Sequence, residues 1–169
     1  KNQLIELTKG SLTLGNLIVE PFAVSHDAAD PIGINVFAEK DKATVVTDTG
    51  VISDSILRRM DDTTLLVLEA NYDPHMLRFG PYQPFLKQRV ASDEGHLSNE
   101  MAAQALLMMN RPDFMQVILA HRSENNNNAV LVTQTIGKML VDGGVRIGPE
   151  MKLQHGQPNE IVSMKSVKR

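Results

Sequence analysis

The sequence contains no cysteine and no tryptophan, and only 4% of it is aromatic. Zero cysteines exclude a disulfide scaffold and any thiolate-held zinc. They fit a reducing compartment, so a cytoplasmic protein is expected. The scarcity of aromatics disfavours a base-stacking platform. Positive charge is not in excess either. Lys plus Arg is 17 against 20 Asp plus Glu, a net charge of −3, so any contact with nucleic acid needs a local basic patch. No apolar run approaches the roughly 18 residues of a membrane span. No charged-then-apolar start with a small-residue cleavage site is visible. No membrane role is expected. What is present is 169 residues, 42% hydrophobic: one domain's length, and too apolar for a disordered chain. The chain opens at Lys1 in a segment that reads as the middle of a fold, so a fragment of a longer protein is expected.

The first half alternates strand signals with turns. Residues 16–25 are β-rich but contain Pro21, which suits an edge or a bulge. Residues 32–39 and 43–47 bracket Lys40-Asp41-Lys42 and read as a hairpin. Residues 53–60 predict a short helix capped by Ser53, with Ile56 and Met60 inward. Residues 63–68 are nearly all apolar, as in a strand buried on both faces. Residues 82–91 and 98–109 predict helices, the second with Ala102, Ala105, Leu106 and Met109 inward and Met108-Met109 as core filler. Residues 115–120 predict a buried strand. Residues 129–141 predict a helix with Val130, Thr133, Ile136 (or Gly137) and Leu140 near helical spacing, ended by Gly143-Gly144. The run Asn125–Asn128 between them suits a turn that caps the helix. Residues 151–153 and 161–164 predict short strands around Gln157-Pro158-Asn159, and residues 165–169 a frayed basic tail. Strands followed by strand–helix alternation give a layered α/β domain.

Chemistry collects where strands end. His26 follows FAVS, Asp48 follows ATVVT, Glu69 follows TLLVL and His121 follows VILA. Strand ends hold side chains on a rigid rim, and four such cases suggest one shared site. Two imidazoles and a carboxylate suit zinc, manganese or iron. Each residue also has a plainer reading: a hydrogen-bonded histidine, a turn-forming aspartate, a glutamate paired with lysine. His96, in Gly95–Asn99 ahead of a helix, can meet a phosphate or shuttle a proton, or can be an exposed loop histidine. His75 and His155 read as solvent residues. Lys87 and Arg89 are either phosphate contacts or a solvated helix face.

SHDAADPIG (25–33), VVTDTG (45–50), LEANYD (68–73), GHLSN (95–99) and HRSENN (121–126), in that order, resemble the metallo-β-lactamase fold. More narrowly they resemble the YycJ/WalJ-like branch of its metallo-hydrolases, which is related to RNase Z-like nucleases. The resemblance covers about residues 16–140. It implies an αββα sandwich with a two-metal hydrolytic site on the sheet rims, the ions being zinc or manganese. His26 and His121 are then metal ligands and Asp48 the bridging aspartate. Glu69 and His96 are the catalytic pair that assists proton transfer, and Ser98 and Asn99 are substrate-binding. The branch is associated with 5′-to-3′ exonuclease action, so the implied partner is nucleic acid, DNA ahead of RNA. Homo-oligomerisation is compatible with it.

The departures are specific. The family's His-x-His-x-Asp-His motif is absent from residues 1–169, which therefore read as the C-terminal part of one domain, awaiting an N-terminal half. Tyr72 stands where histidine is common, and Arg122 departs from the usual HLS block. Two further readings stand beside the nuclease: a non-catalytic, degenerate scaffold, and a hydrolase of small esters or lactams on the same fold.

Overall fold

A computed structural model describes residues 10–157 and 160–163. Seven strands form one sheet in chain order: β1 (Leu12–Leu14), β2 (Leu17–Ala23), β3 (Ile32–Ala38), β4 (Asp41–Val46), β5 (Leu65–Glu69), β6 (Met115–Ala120) and β7 (Met151–His155). The pairs from β1 to β4 are antiparallel, and those from β4 to β7 are parallel. The change follows from the connections. Antiparallel neighbours need only a turn, whereas parallel neighbours need a crossover. The crossovers are α1 (Asp54–Met60), then α2 (Pro74–Phe79), α3 (Pro84–Val90) and α4 (Asn99–Met108), then α5 (Ala129–Asp142). Crossovers of one hand in a sheet that grows in one direction lay their helices on one face. Burial agrees: Thr44, Val46, Leu66, Leu68 and Val117 are fully buried, together with Ala102, Leu106, Ile136 and Leu140 from the helices. Helices α2 and α3 form a separate small cluster around Tyr72, Leu77 and Val90.

The alternate residues of the same strands face the other way. Leu17, Val19, Ile34, Val36, Leu65, Val67 and Ile118 are only partly buried, and Val45 is 36% exposed. This face is as apolar as the core, yet no layer covers it among the described residues. The described part of the expected αββα sandwich is thus one sheet with one helix layer. Large contiguous apolar faces are uncommon on soluble monomers, where they mark association surfaces. These 169 residues, produced alone, should bind a hydrophobic dye and scatter light as associated species. A monomer that melts cooperatively without dye binding would contradict that expectation.

Several local expectations need correcting. The hairpin turn is Glu39-Lys40, because Ala38 pairs with Asp41 and Lys42 is already in β4. Glu39 takes a positive φ of 53° to close it. Strand β5 is buried on one face only. Helix α5 buries Val132, Ile136 and Leu140, while Val130 is 63% exposed. Met109 is core but Met108 is exposed. His155 lies on β7, half-buried, with Nε2 2.8 Å from Thr133 Oγ1. Residues 161–163 form no strand. The turn residues Pro158 and Asn159, and the tail 164–169, lie outside the described residues. Pro21 sits beyond Val19, where pairing with β1 stops, so one side of it has no described strand partner. Among the described residues no helix is long and apolar enough to cross a membrane.

Candidate functional site

Strand direction brings the four strand ends to one edge. β2 is antiparallel to β3, and β3 to β4, so β2 runs with β4, and β4 runs with β5 and β6. The residues after β2, β4 and β6, and the last residue of β5, therefore share one rim. There the side chains converge. Asp48 Oδ1 lies 3.8 Å from His26 Nε2 and 3.6 Å from His121 Nε2. The rings of His26 and His96 are 5.0 Å apart, and those of His96 and His121 5.2 Å. One donor atom each from His26, Asp48 and His96 lie within 4.8 Å of one another.

Glu69 organises this cluster from behind. Its side chain is fully buried, and Oε1 accepts from His96 Nδ1 and from His121 Nδ1, each at 2.7 Å. Oε2 accepts the Thr49 N–H at 3.1 Å. Burial alone would push the Glu69 carboxyl up, but the hydrogen bonds from His121, His96 and Thr49 outweigh it and hold it below the usual range. The same bond to Glu69 raises His121, against burial, with help from the charges of Glu69 and Asp48. An ionised carboxylate only accepts, so both histidines carry their hydrogen on Nδ1. His26 Nδ1 lies 3.0 Å from the Gly95 carbonyl, also an acceptor. All three imidazoles thereby spend Nδ1–H on the protein and keep the Nε2 lone pair. Histidines that ligate metals are oriented in this way. The donor set of imidazole nitrogens and a carboxylate fits a borderline divalent ion.

The support is local and closely fitted. Thr49 is fully buried. Its Oγ1 accepts the Ser25 N–H at 3.2 Å and donates to the Val51 carbonyl at 2.9 Å, tying the His26 loop to the Asp48 loop. A Cβ on Gly95 would lie 2.2 Å from the Arg89 carbonyl, and one on Gly50 would lie 2.2 Å from that of Ser92. Only glycine lets these loops meet, and the Gly95 carbonyl is the one that orients His26. Asp48 and His121 both take positive φ, 57° and 51°. Non-glycine residues in that region cluster at functional sites. Asn71 Nδ2 donates to the His121 carbonyl at 2.8 Å. Asn127 Nδ2 donates to the carbonyls of Ala70 and Asn71 at 3.0 and 3.1 Å. The asparagine run is thus more than a turn: Asn128 caps α5 and buried Asn127 holds the loop after β5.

Three of the expected site residues are tied up inside the protein. Ser98 is a buried N-cap that accepts from the Met101 N–H and donates to Glu100. Asn99 is fully buried and bridges to Asn127 at 3.1 and 2.9 Å. Neither side chain has a face left for substrate; the open end of the helix needed a cap. Glu69 is fully buried, and its two oxygens are taken by His96, His121 and the Thr49 N–H. Lys87 donates to the Arg78 carbonyl at 2.8 Å, and Arg89 makes a two-pronged pair with Asp27. Arg89 holds the Asp27 carboxyl below the usual carboxylate range. Tyr72 anchors the α2–α3 cluster, which explains an aromatic there. In front of the histidines lies an open cleft of about 480 Å³, walled by Tyr82, Leu86 and Arg89 on one side and residues 121–125 on the other. Arg122, Thr49 and Asn127 were not legible as site residues from spacing; the signal available was their position beside strand ends.

Residues 2–121 match the family model described as "Beta-lactamase superfamily domain". A curated relative, exodeoxyribonuclease YycJ of Bacillus anthracis, is 34% identical over 146 residues, covering 86% of this chain and 55% of that protein. The chain spans about half the length of the curated relatives it matches. Among solved structures, the metallo-β-lactamase fold protein YhfI of Bacillus subtilis superposes with a TM-score of 0.60 at 14% identity, over 86% of this chain and 50% of its own. Zn²⁺-bound PqqB of Methylobacterium extorquens gives 0.59 at 16% identity, over 90% and 50%.

Proposed function

The chain belongs to the β-lactamase superfamily, and from that premise we propose that the intact protein is a metal-dependent phosphodiesterase acting as an exonuclease on DNA. The observation that carries this reading is the convergence of the Nε2 atoms of His26 and His121 on Asp48, with Nδ1 of each ring already spent. His26, Asp48 and His121 would hold divalent ions, zinc or manganese, with the Asp48 carboxylate within 4 Å of both imidazole Nε2 atoms. Ions held there would acidify water and stabilise charge on a phosphoryl oxygen. Further donors come, in this proposal, from a His-x-His-x-Asp-His segment outside residues 1–169. The exonuclease name of the 34% identical relative supports DNA as the substrate.

The chain's own residues do the rest. His96 lines the cleft with Nδ1 fixed on Glu69 and no hydrogen bond at Nε2 among the described residues, so it can deliver or take a proton at Nε2 without turning. Glu69 keeps that tautomer. Tyr82, Leu86 and Val90 form the apolar side of the cleft and limit water on that side.

The test uses the intact protein, stripped with chelator and reloaded with Mn²⁺ or Zn²⁺. Metal-restored release of nucleotides from DNA ends is expected, with RNA, small esters and lactams turned over poorly. Turnover of esters or lactams alone would replace the nuclease with the small-ester reading. No bound metal and no turnover would leave a non-catalytic scaffold.

A further inference from the structure

Two arginines line the cleft, Arg89 and Arg122, and only one is committed. Arg89 is neutralised by Asp27. The guanidinium of Arg122 has no hydrogen bond or ion pair among the described residues, and its Nη1 is buried without a partner. A guanidinium cannot shed its charge, and a buried N–H left unmade is costly. Its positive field reaches His155, which burial and then the Arg122 charge hold below the ordinary imidazole range. Glu124 also borders the cleft, and no ion pair joins it to Arg122 among the described residues. The neighbouring Ser123 is similarly unspent. Its Oγ accepts the Asn126 N–H at 3.1 Å and Asn126 Nδ2 at 3.4 Å, and its own O–H has no acceptor among the described residues. Both residues follow directly on His121, whose positive φ turns the chain away from β6 at the cleft.

Resting on the phosphodiesterase reading, we propose that Arg122 and Ser123 form a phosphate subsite beside the His26–Asp48–His121 cluster, taking the phosphate next to the one that is cleaved. A planar guanidinium and a hydroxyl offer the donors that phosphate oxygens accept. The occupant is either the next backbone diester or the terminal monoester of the strand, which share this chemistry.

Binding is measured first, on the intact, chelator-stripped protein, by fluorescence anisotropy. The probes are short single-stranded DNAs labelled at the 3′ end and carrying a 5′-phosphate or a 5′-hydroxyl. Arg122→Ala should weaken binding about tenfold or more and reduce the slope of log affinity against log salt by about one. Arg122→Lys should recover part of the loss, keeping charge without the fork; Arg122→Gln replaces the alanine variant if that fails to fold. A larger loss on the 5′-phosphate probe assigns the terminal monoester, and equal losses assign the backbone diester. Unchanged affinity on both probes overturns the subsite. Turnover is then compared between DNA and bis(p-nitrophenyl) phosphate, a diester with no neighbouring phosphate. The ratio of kcat/KM, DNA over the small diester, should fall about tenfold in Arg122→Ala, with the change in KM. Equal losses on both substrates would make Arg122 a structural residue and overturn the subsite while the hydrolase stands. A wild-type protein that turns over neither substrate overturns the hydrolase and the subsite that rests on it.

Discussion

Replacing Asp48 by alanine in the intact protein should lower metal-dependent DNA cleavage about a thousandfold or more, because losing roughly 4 kcal/mol of stabilisation at the metal site is worth that factor. Asp48 lies 3.8 Å from His26 Nε2 and 3.6 Å from His121 Nε2, and Asp27 Oδ1 also lies 3.6 Å from His26 Nε2. Without it, both Nε2 atoms remain but the carboxylate that joins them is gone. Metal content per chain, read by elemental analysis, should fall in the same variant. The fold should survive, since Asp48 is a half-exposed residue on the rim and the core lies beneath it. Near-normal cleavage and full metal content in Asp48→Ala would remove the residue from the site.

The second large effect concerns a residue that touches no substrate. Glu69→Gln is nearly isosteric, yet both of its oxygens serve as acceptors: Oε1 for two histidines and Oε2 for the Thr49 N–H. A glutamine must turn its NH₂ toward one set or the other. Facing Thr49, it sets donor against donor; facing the histidines, it forces them to move hydrogen from Nδ1 to Nε2 and so blocks the lone pairs that face Asp48. Outer partners of metal-binding histidines typically govern 10–100-fold in affinity. Glu69 serves two, so a loss of about a hundredfold in metal affinity is expected, measured by titration with a competing chelator. Metal affinity equal to wild type would mean that the histidine tautomers do not depend on Glu69.

The strand ends were legible because they depend on local sequence. An apolar run stops, a polar residue follows, and parallel strands carry their ends to one edge; His26, Asp48, Glu69 and His121 are all placed by that logic. Side-chain orientation was not legible. That one buried oxygen of Glu69 holds two histidines depends on β5, β6 and the Gly95 loop meeting in three dimensions. Ser98 and Asn99 are substrate-binding only as the family resemblance implies. The structure uses both internally, for a cap and for the Asn127 bridge. On α5, Ile136 and Leu140 face inward as expected but Val130 and Thr133 do not, because apolar residues stand at 130, 131, 132, 136, 139, 140 and 141 and several stripes fit. Contact with α4 and the sheet selects Val132, Ile136 and Leu140. Arg122 read as a minor change in a motif, and its unpartnered guanidinium emerged only from the surrounding packing.

Anomalous diffraction from crystals of the complete protein loaded with zinc or manganese tests the core of this account. It predicts a peak about 2.0–2.2 Å from Nε2 of His26 or His121, with the Asp48 carboxylate in contact with the same ion or shared by two. Peaks that avoid these three side chains, in a protein that still cleaves DNA, would contradict it.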